Sequence, residues 1–191
     1  MRFNLPKELM AKILDSAFLD VPTPLQAPTS EIFEKYLYGL AIVPLHLTLT
    51  IIGESKPATS QKLATSLGRA LMITYILRDI KDDAKTGHLF IPQEVLQKAN
   101  VCKNSPISVL EDKNLSGARE ALSKDAKKNF TTAQRFLSKM NKKSVMPLFY
   151  LANLSQCYFT QMNSRGWEII SPKPHISKFN KLKLIIKTIF A

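Results

Sequence analysis

Leu67–Leu96, LGRALMITYILRDIKDDAKTGHLFIPQEVL, is the stretch whose reading decides the fold. Leu67, Ala70, Leu71, Ile73, Ile76, Leu77 and Ile80 recur at helical spacing, so the run predicts a long helix with a buried face. Asp79, Asp82 and Asp83 stand at i, i+3 and i+4, and a helix presents such positions on one face. Like charges held that close repel unless a cation or a basic ligand sits between them. Carboxylate oxygens suit Mg²⁺, an ion that one or two carboxylates share with a substrate phosphate. A solvated acidic helix end, interleaved with Lys81 and Lys85, would carry the same charges, and spacing alone leaves both readings open.

The wording of the whole segment separates them. Leu67-Gly68, Ala70-Leu71, Ile76-Leu77-Arg78-Asp79-Ile80, Asp82-Asp83, Gly87 and Ile91-Pro92-Gln93-Glu94 resemble the second aspartate-rich region of the squalene/phytoene synthase family, LGxAxQxTNILRDxxEDxxxGRxYxPxE. Leu5-Pro6, Glu8-Leu9, Asp20 and Tyr36 to Leu45 are similar to the family's approach to its YxxxVAxxVG stretch. Downstream, Ala126, Phe130, Ala133, Ser144 to Pro147, Tyr158 and Lys178 to Leu184 resemble its C-terminal helices.

The resemblance implies an all-α, isoprenoid (terpenoid) synthase-like helical bundle. The family activity it implies is Mg²⁺-dependent head-to-head condensation of two prenyl diphosphates, farnesyl or geranylgeranyl. Asp79, Asp82 and Asp83 would hold the metal, and Arg78, Tyr36, Met72, Tyr75 and His88 fall at substrate-binding positions. Leu45, Leu49, Leu71, Met146 and Phe149 would line a dry tunnel for the prenyl tails.

Several positions depart from the family pattern. Met72 and Tyr75 replace amides that can bind a metal-bound diphosphate; Met cannot, and Tyr offers only a hydroxyl. His88 replaces a permanently charged Arg by a titratable group. Phe90 stands for Tyr, and Ile42 and Pro44 take places where small residues prevail. The family also uses a first DxxxD motif on a facing helix, and residues 1–61 contain only Asp15 and Asp20, with no DxxxD. The expectation is therefore one domain, 1–191, incomplete at its N-terminus and weakly active or inactive alone. Two alternatives accompany it: a non-catalytic assembly or binding protein on the same scaffold, as in a complex I assembly factor, or part of a split enzyme whose second chain supplies the missing helices.

Composition narrows the partners. Twenty-seven Lys plus Arg against fifteen Asp plus Glu give +12, a balance that fits polyanions or an anionic membrane surface. No zinc-finger spacing, RNP-type motif or basic zipper is present, so nucleic acid is not expected. Cys102 and Cys157 lack CxxC spacing and read as buried free thiols in a reducing cytosol. No secretory apolar stretch opens the chain, and Ile42 to Ile52 is too short to span a bilayer, so a cytoplasmic protein, peripheral to the membrane at most, is expected. The basic amphipathic tail, 173–191, carries that membrane expectation, against the plainer reading that its apolar residues pack on preceding helices.

Along the chain, Asn4 and Pro6 predict a helix to about Phe18, and Pro22, Pro24 and Pro28 a loop. Thr29 or Ser30 caps a helix to about Gly53 with a kink at Pro44, and Thr59 or Ser60 caps the acidic helix. Further helices are expected over Gln93 to Ala99, Ser116 to Met140 and Ser144 to Met162, the last with Pro147 in its first turn. His46 reads as a packed core histidine and His175 as solvated. Arg165-Gly166-Trp167-Glu168 reads as a helix stop with a packed indole.

Overall fold

A computed structural model describes residues 5–53, 57–103 and 105–190; Asn4 and the side chain of Phe190 lie outside that description. Among the described residues the protein is all-α, with nine α-helices and a single isolated bridge, Gln26 to Leu89. They are α1 (Lys7–Ala17), α2 (Ser30–Leu37), α3 (Val43–Ile52), α4 (Pro57–Lys85), α5 (Gln93–Lys98), α6 (Pro106–Val109), α7 (Leu115–Leu137), α8 (Lys142–Arg165) and α9 (Lys178–Phe190).

The central helix, α4, begins at Pro57, before the expected cap at Thr59 or Ser60, because proline's fixed φ suits a first helical position. It buries residues on most of its circumference, including Leu63, Leu67, Ile73 and Leu77, so it forms the axis of the bundle. α7 runs against it most extensively, with Ala118, Ala126 and Ala133 giving the close approach. Gly87, at φ +86, ends the helix and turns the chain toward His88.

Thr29 caps α2 by accepting from the Ile32 N–H at 3.2 Å, as its residue type predicts. The expected disturbance at Pro44 is a π-turn over Tyr38–Ile42, in which the Val43 N–H reaches back to the Tyr38 carbonyl. One extra residue in the turn accommodates a ring that would otherwise meet the carbonyl four residues earlier. The helix thus continues from Ser30 to Ile52, long and apolar enough to cross a membrane, a length that the Ile42 to Ile52 reading understated. Phe33, Leu37, Val43, Leu45, Leu47 and Leu49 are instead buried in the protein core.

α4 crosses this π-turn at Gly68, where a Cβ would come within 2.9 Å of the Ala41 carbonyl oxygen. Gly68→Val is expected to destabilise the fold by about 1–3 kcal/mol through overpacking. Urea unfolding measures it: a lower midpoint at an unchanged slope is the expected result.

Three other expectations need correction. α8 starts at Lys142, capped by Asn141, so Pro147 lies inside the helix rather than in its first turn. His46 is half-buried rather than a core residue. Cys102 is exposed and Cys157 half-buried, so neither is a buried thiol, though both are free. Trp167 is packed as expected, its ring 5.8 Å from Phe159, which in turn meets Phe130 at 5.7 Å.

Candidate functional site

On α4 the stripe Met72, Tyr75, Arg78, Asp79, Asp82 and Asp83 is the part of the circumference that leaves the core. Met72 and Tyr75 still rest against the core. The Arg78 guanidinium donates to both oxygens of Asp79, Nε to Oδ1 at 2.9 Å and Nη2 to Oδ2 at 2.6 Å. It also lies 4.6 Å from the centroids of both Tyr75 and Tyr158, so two rings hold the charge in place.

A second cation arrives from far along the chain. Lys173 donates through Nζ to Asp82 Oδ2 at 3.1 Å and pairs with Asp79 Oδ1 as well. It sits on the strap between α8 and α9. Lys81 Nζ, 3.3 Å from Ser171 Oγ, meets that strap from α4. At its start the buried Arg119 binds the carbonyls of Trp167 and, at 3.3 Å, Ile169.

The carboxylates differ in environment. Burial alone would raise Asp79, but hydrogen bonds from Arg78 and Lys173 outweigh it and hold the group below the ordinary carboxylate range. Asp82, largely exposed, is lowered by Lys173 and Lys85. Asp83 is pushed up to about 6, first by burial and then by Asp79, with His88 and Lys173 only partly compensating. The native state therefore binds a proton at Asp83 more tightly than the unfolded chain does. Charging it is destabilising, and stability falls as pH rises from the ordinary 3.8 through about 6.

Asp83→Asn should accordingly stabilise the fold near neutral pH. An unscreened shift of this size would correspond to about 3 kcal/mol, which partial solvation reduces to about 1 kcal/mol. Thermal melts should show the gain at about pH 7.5 and lose it near pH 4, where Asp83 is already neutral.

Beside Asp83, the loop 21–29 docks along the chain after α4, with the Leu89 N–H donating to the Leu25 carbonyl and the Ala27 N–H to the Leu89 carbonyl, both at 2.8 Å. This brings Asp20 Oδ2 to 3.2 Å from His88 Nε2, while Thr86 Oγ1 lies 2.9 Å from Nδ1. The rings of Tyr36, Phe90 and His88 stack in sequence at 5.3 Å spacings. Burial, then Asp20 and Asp83, push the Tyr36 hydroxyl up to about 12, so it remains a donor. The Glu94 carboxylate reaches across to α2, accepting from the Ser30 N–H and hydroxyl at 2.8 and 2.7 Å.

Thus the sequence-derived residues Arg78, Asp79, Asp82, Asp83, Tyr75, Tyr36 and His88 form one neighbourhood, with Met72 a turn back on the same stripe. Lys173 and the Asp20 contact to His88 escaped the sequence reading. Asp20 had a weak signal in the three prolines that follow it; Lys173 had no local one. Leu45, Leu49 and Leu71 pack in the core, whereas Phe149 lines a groove between α8 and α9.

As a possible cation site, the arrangement fits two carboxylates better than three. Asp79 and Asp82 already converge on one positive centre, the Lys173 ammonium. Among the described residues no three His, Cys, Asp or Glu side chains are grouped to hold an ion by themselves. Two carboxylates completed by phosphate oxygens is the arrangement Mg²⁺ commonly takes.

An all-α bundle with an aspartate-bearing axial helix is the architecture of terpenoid synthases. The dehydrosqualene synthase crystal structure superposes with a TM-score of 0.78 at 19% identity, covering 98% of this chain and 65% of that one. A squalene synthase from Alicyclobacillus acidocaldarius gives 0.75 at 16% identity over 87% of this chain and 62% of its own. The squalene/phytoene synthase family profile matches residues 1–180, and the chain belongs to that family. Its relatives include the presqualene diphosphate synthase of Zymomonas mobilis, 27% identical over 96% of this chain and 62% of the relative. That of Sinorhizobium fredii is 32% identical over 71% of this chain and 48% of its own length. The chloroplastic phytoene synthase of Daucus carota is 26% identical over 78% of this chain and 39% of its own. The chain therefore spans less than two thirds of these three relatives.

Proposed function

We propose that this chain binds a prenyl diphosphate together with Mg²⁺ through the Asp79, Asp82 and Asp83 face, as one half of a head-to-head prenyltransferase site. The convergence of Asp79 and Asp82 on a single cation carries the reading. Asp79 and Asp82 would hold the metal, with Asp83 beside them, and Mg²⁺ there would neutralise the diphosphate that departs from the allylic carbon. Arg78, fixed between two tyrosine rings, orients Asp79. Lys173 is free to turn from the carboxylates to phosphate oxygens once a metal replaces it. Tyr36 offers a hydroxyl donor near Asp83, and the stacked Phe90 and His88 rings shield that side from water.

Condensation of two diphosphates calls for a second acidic set facing this one, and residues 1–61 carry no DxxxD. The 191 residues by themselves are therefore expected to bind but not to convert substrate. The same result is expected from a binding or assembly protein on this scaffold, which Met72 and Tyr75 in place of amides also favour.

Calorimetry with farnesyl diphosphate, with and without Mg²⁺, tests the proposal. Binding should require the metal and weaken at least tenfold in Asp79→Asn/Asp82→Asn, since each lost charged contact is worth about 1.5–3 kcal/mol before screening. Metal-independent binding, or affinity unchanged in the double variant, would restore the solvated acidic helix end. Appearance of presqualene diphosphate or phytoene from the chain alone would show that a second acidic set is not needed.

A further inference from the structure

The positive charge of this protein is not spread along the chain. Residues 126–191 hold twelve Lys and Arg and one acid, Glu168, whereas residues 1–125 hold fifteen basic and fourteen acidic residues. The basic part ends in α9, which rests on α8 through Leu184 and the buried Thr188, the latter accepting from Asn153 at 3.4 Å. The opposite face is apolar and uncovered: Phe179, Leu182, Ile186 and Ile189 are 75%, 54%, 50% and 47% exposed. At 100° per residue these four occupy one continuous arc, with Lys181 on one flank and Lys183 and Lys187 on the other. A groove of about 830 Å³ adjoins the helix, with Leu137, Phe149 and Leu184 in its wall and Lys142 and Lys187 at its edge. Lys139, on the turn between α7 and α8, and Lys143, in the first turn of α8, extend the charge.

An apolar arc between rows of lysine is the surface of a helix that lies in a lipid interface. Packing on the preceding helices, the plainer alternative for the tail, accounts for Leu184 and Thr188 but leaves the arc without a role. A protein partner would need an apolar strip bordered by acids on both sides. An anionic leaflet supplies both without further requirement.

We propose that α9, with the α7–α8 turn, docks this protein reversibly on an anionic bilayer surface, the apolar arc entering the headgroup boundary and the lysines pairing with lipid phosphates. The inference does not depend on the carboxylate site and concerns a different surface.

Co-sedimentation of the full chain with phosphatidylcholine vesicles, with and without phosphatidylglycerol, tests it. Binding should need the anionic lipid and decline as salt rises. Lys183→Gln/Lys187→Gln should lower the partition coefficient about thirtyfold, at about fivefold per lysine. Phe179→Ser/Leu182→Ser/Ile186→Ser should lose binding while circular dichroism stays helical, because all three side chains are exposed. Equal binding to neutral vesicles, or undiminished binding of either variant, overturns the proposal. So does a wild-type dimer that the serine variant dissociates and that ignores vesicles, since the arc would then be covered by a second copy. Loss of farnesyl diphosphate binding with vesicle binding intact would count against the carboxylate reading alone.

Discussion

Mn²⁺ or Mg²⁺, without any diphosphate, should bind Lys173→Ala about tenfold more tightly than the unsubstituted protein. In the native arrangement the ammonium occupies the position where Asp79 and Asp82 converge, and a metal must displace it. A charge-assisted hydrogen bond is worth about 1.5–3 kcal/mol, but the Lys173 and Asp82 side chains are 46% and 52% exposed, and exposed pairs yield about 0.2–1 kcal/mol. Asp79, at 21%, is the better-shielded partner, so a net gain near 1.4 kcal/mol, or tenfold, is the reasonable middle. With farnesyl diphosphate present the sign should reverse, because the displaced ammonium gains phosphate oxygens as partners and its loss then weakens the complex. Manganese paramagnetic resonance measures the first arm and calorimetry the second. Unchanged metal affinity in Lys173→Ala would mean that these carboxylates are not the cation site.

This contact also shows where sequence reasoning ends. The elements were legible because each has a local cause: apolar spacing for α4 and α7, Thr29 for the start of α2, the left-handed glycines Gly53 and Gly87 for two helix ends. The acidic face was legible for the same reason, as a matter of positions on one helix. Lys173 meets Asp82 across 91 residues, and nothing near either residue announces the pairing. Glu94 reaching Ser30 across 64 residues and Asp20 reaching His88 are of the same kind. Each depends on how two loops fold back on α4, which is settled by packing. The short helix α6, with its Ser105–Ser108 capping box, went unread because four residues leave no periodic trace. Pro44 was read as a kink, while the form the disturbance takes, a π-turn that α4 crosses at Gly68, is seen only in the packed structure.

Arg119 is the least legible residue of all and carries the second large effect. It lies on the face of α7 that Leu115, Leu122 and Ala126 bury, where a charged residue type is unexpected, and it is 1% exposed. Burial, with Arg165 adding to it, pushes the guanidinium down to about 10 against a small opposing effect of Glu168. Holding it there costs about 3 kcal/mol, which Arg119→Met would recover. The same change strips donors from the carbonyls of Trp167, Ile169 and Leu77. Three hydrogen bonds from a charged donor, at about 1.5–3 kcal/mol each, exceed the recovered cost. Arg119→Met should therefore destabilise the fold by about 2–4 kcal/mol, seen as a lower urea midpoint. The loss has a functional reach, since Trp167 and Ile169 begin the strap that carries Lys173. Once the strap is loosened, the ammonium should hold Asp79 and Asp82 less firmly. At temperatures where the variant is still folded, its metal affinity should rise toward that of Lys173→Ala. A stability loss without that rise would separate the strap from the site and leave Arg119 a packing residue only.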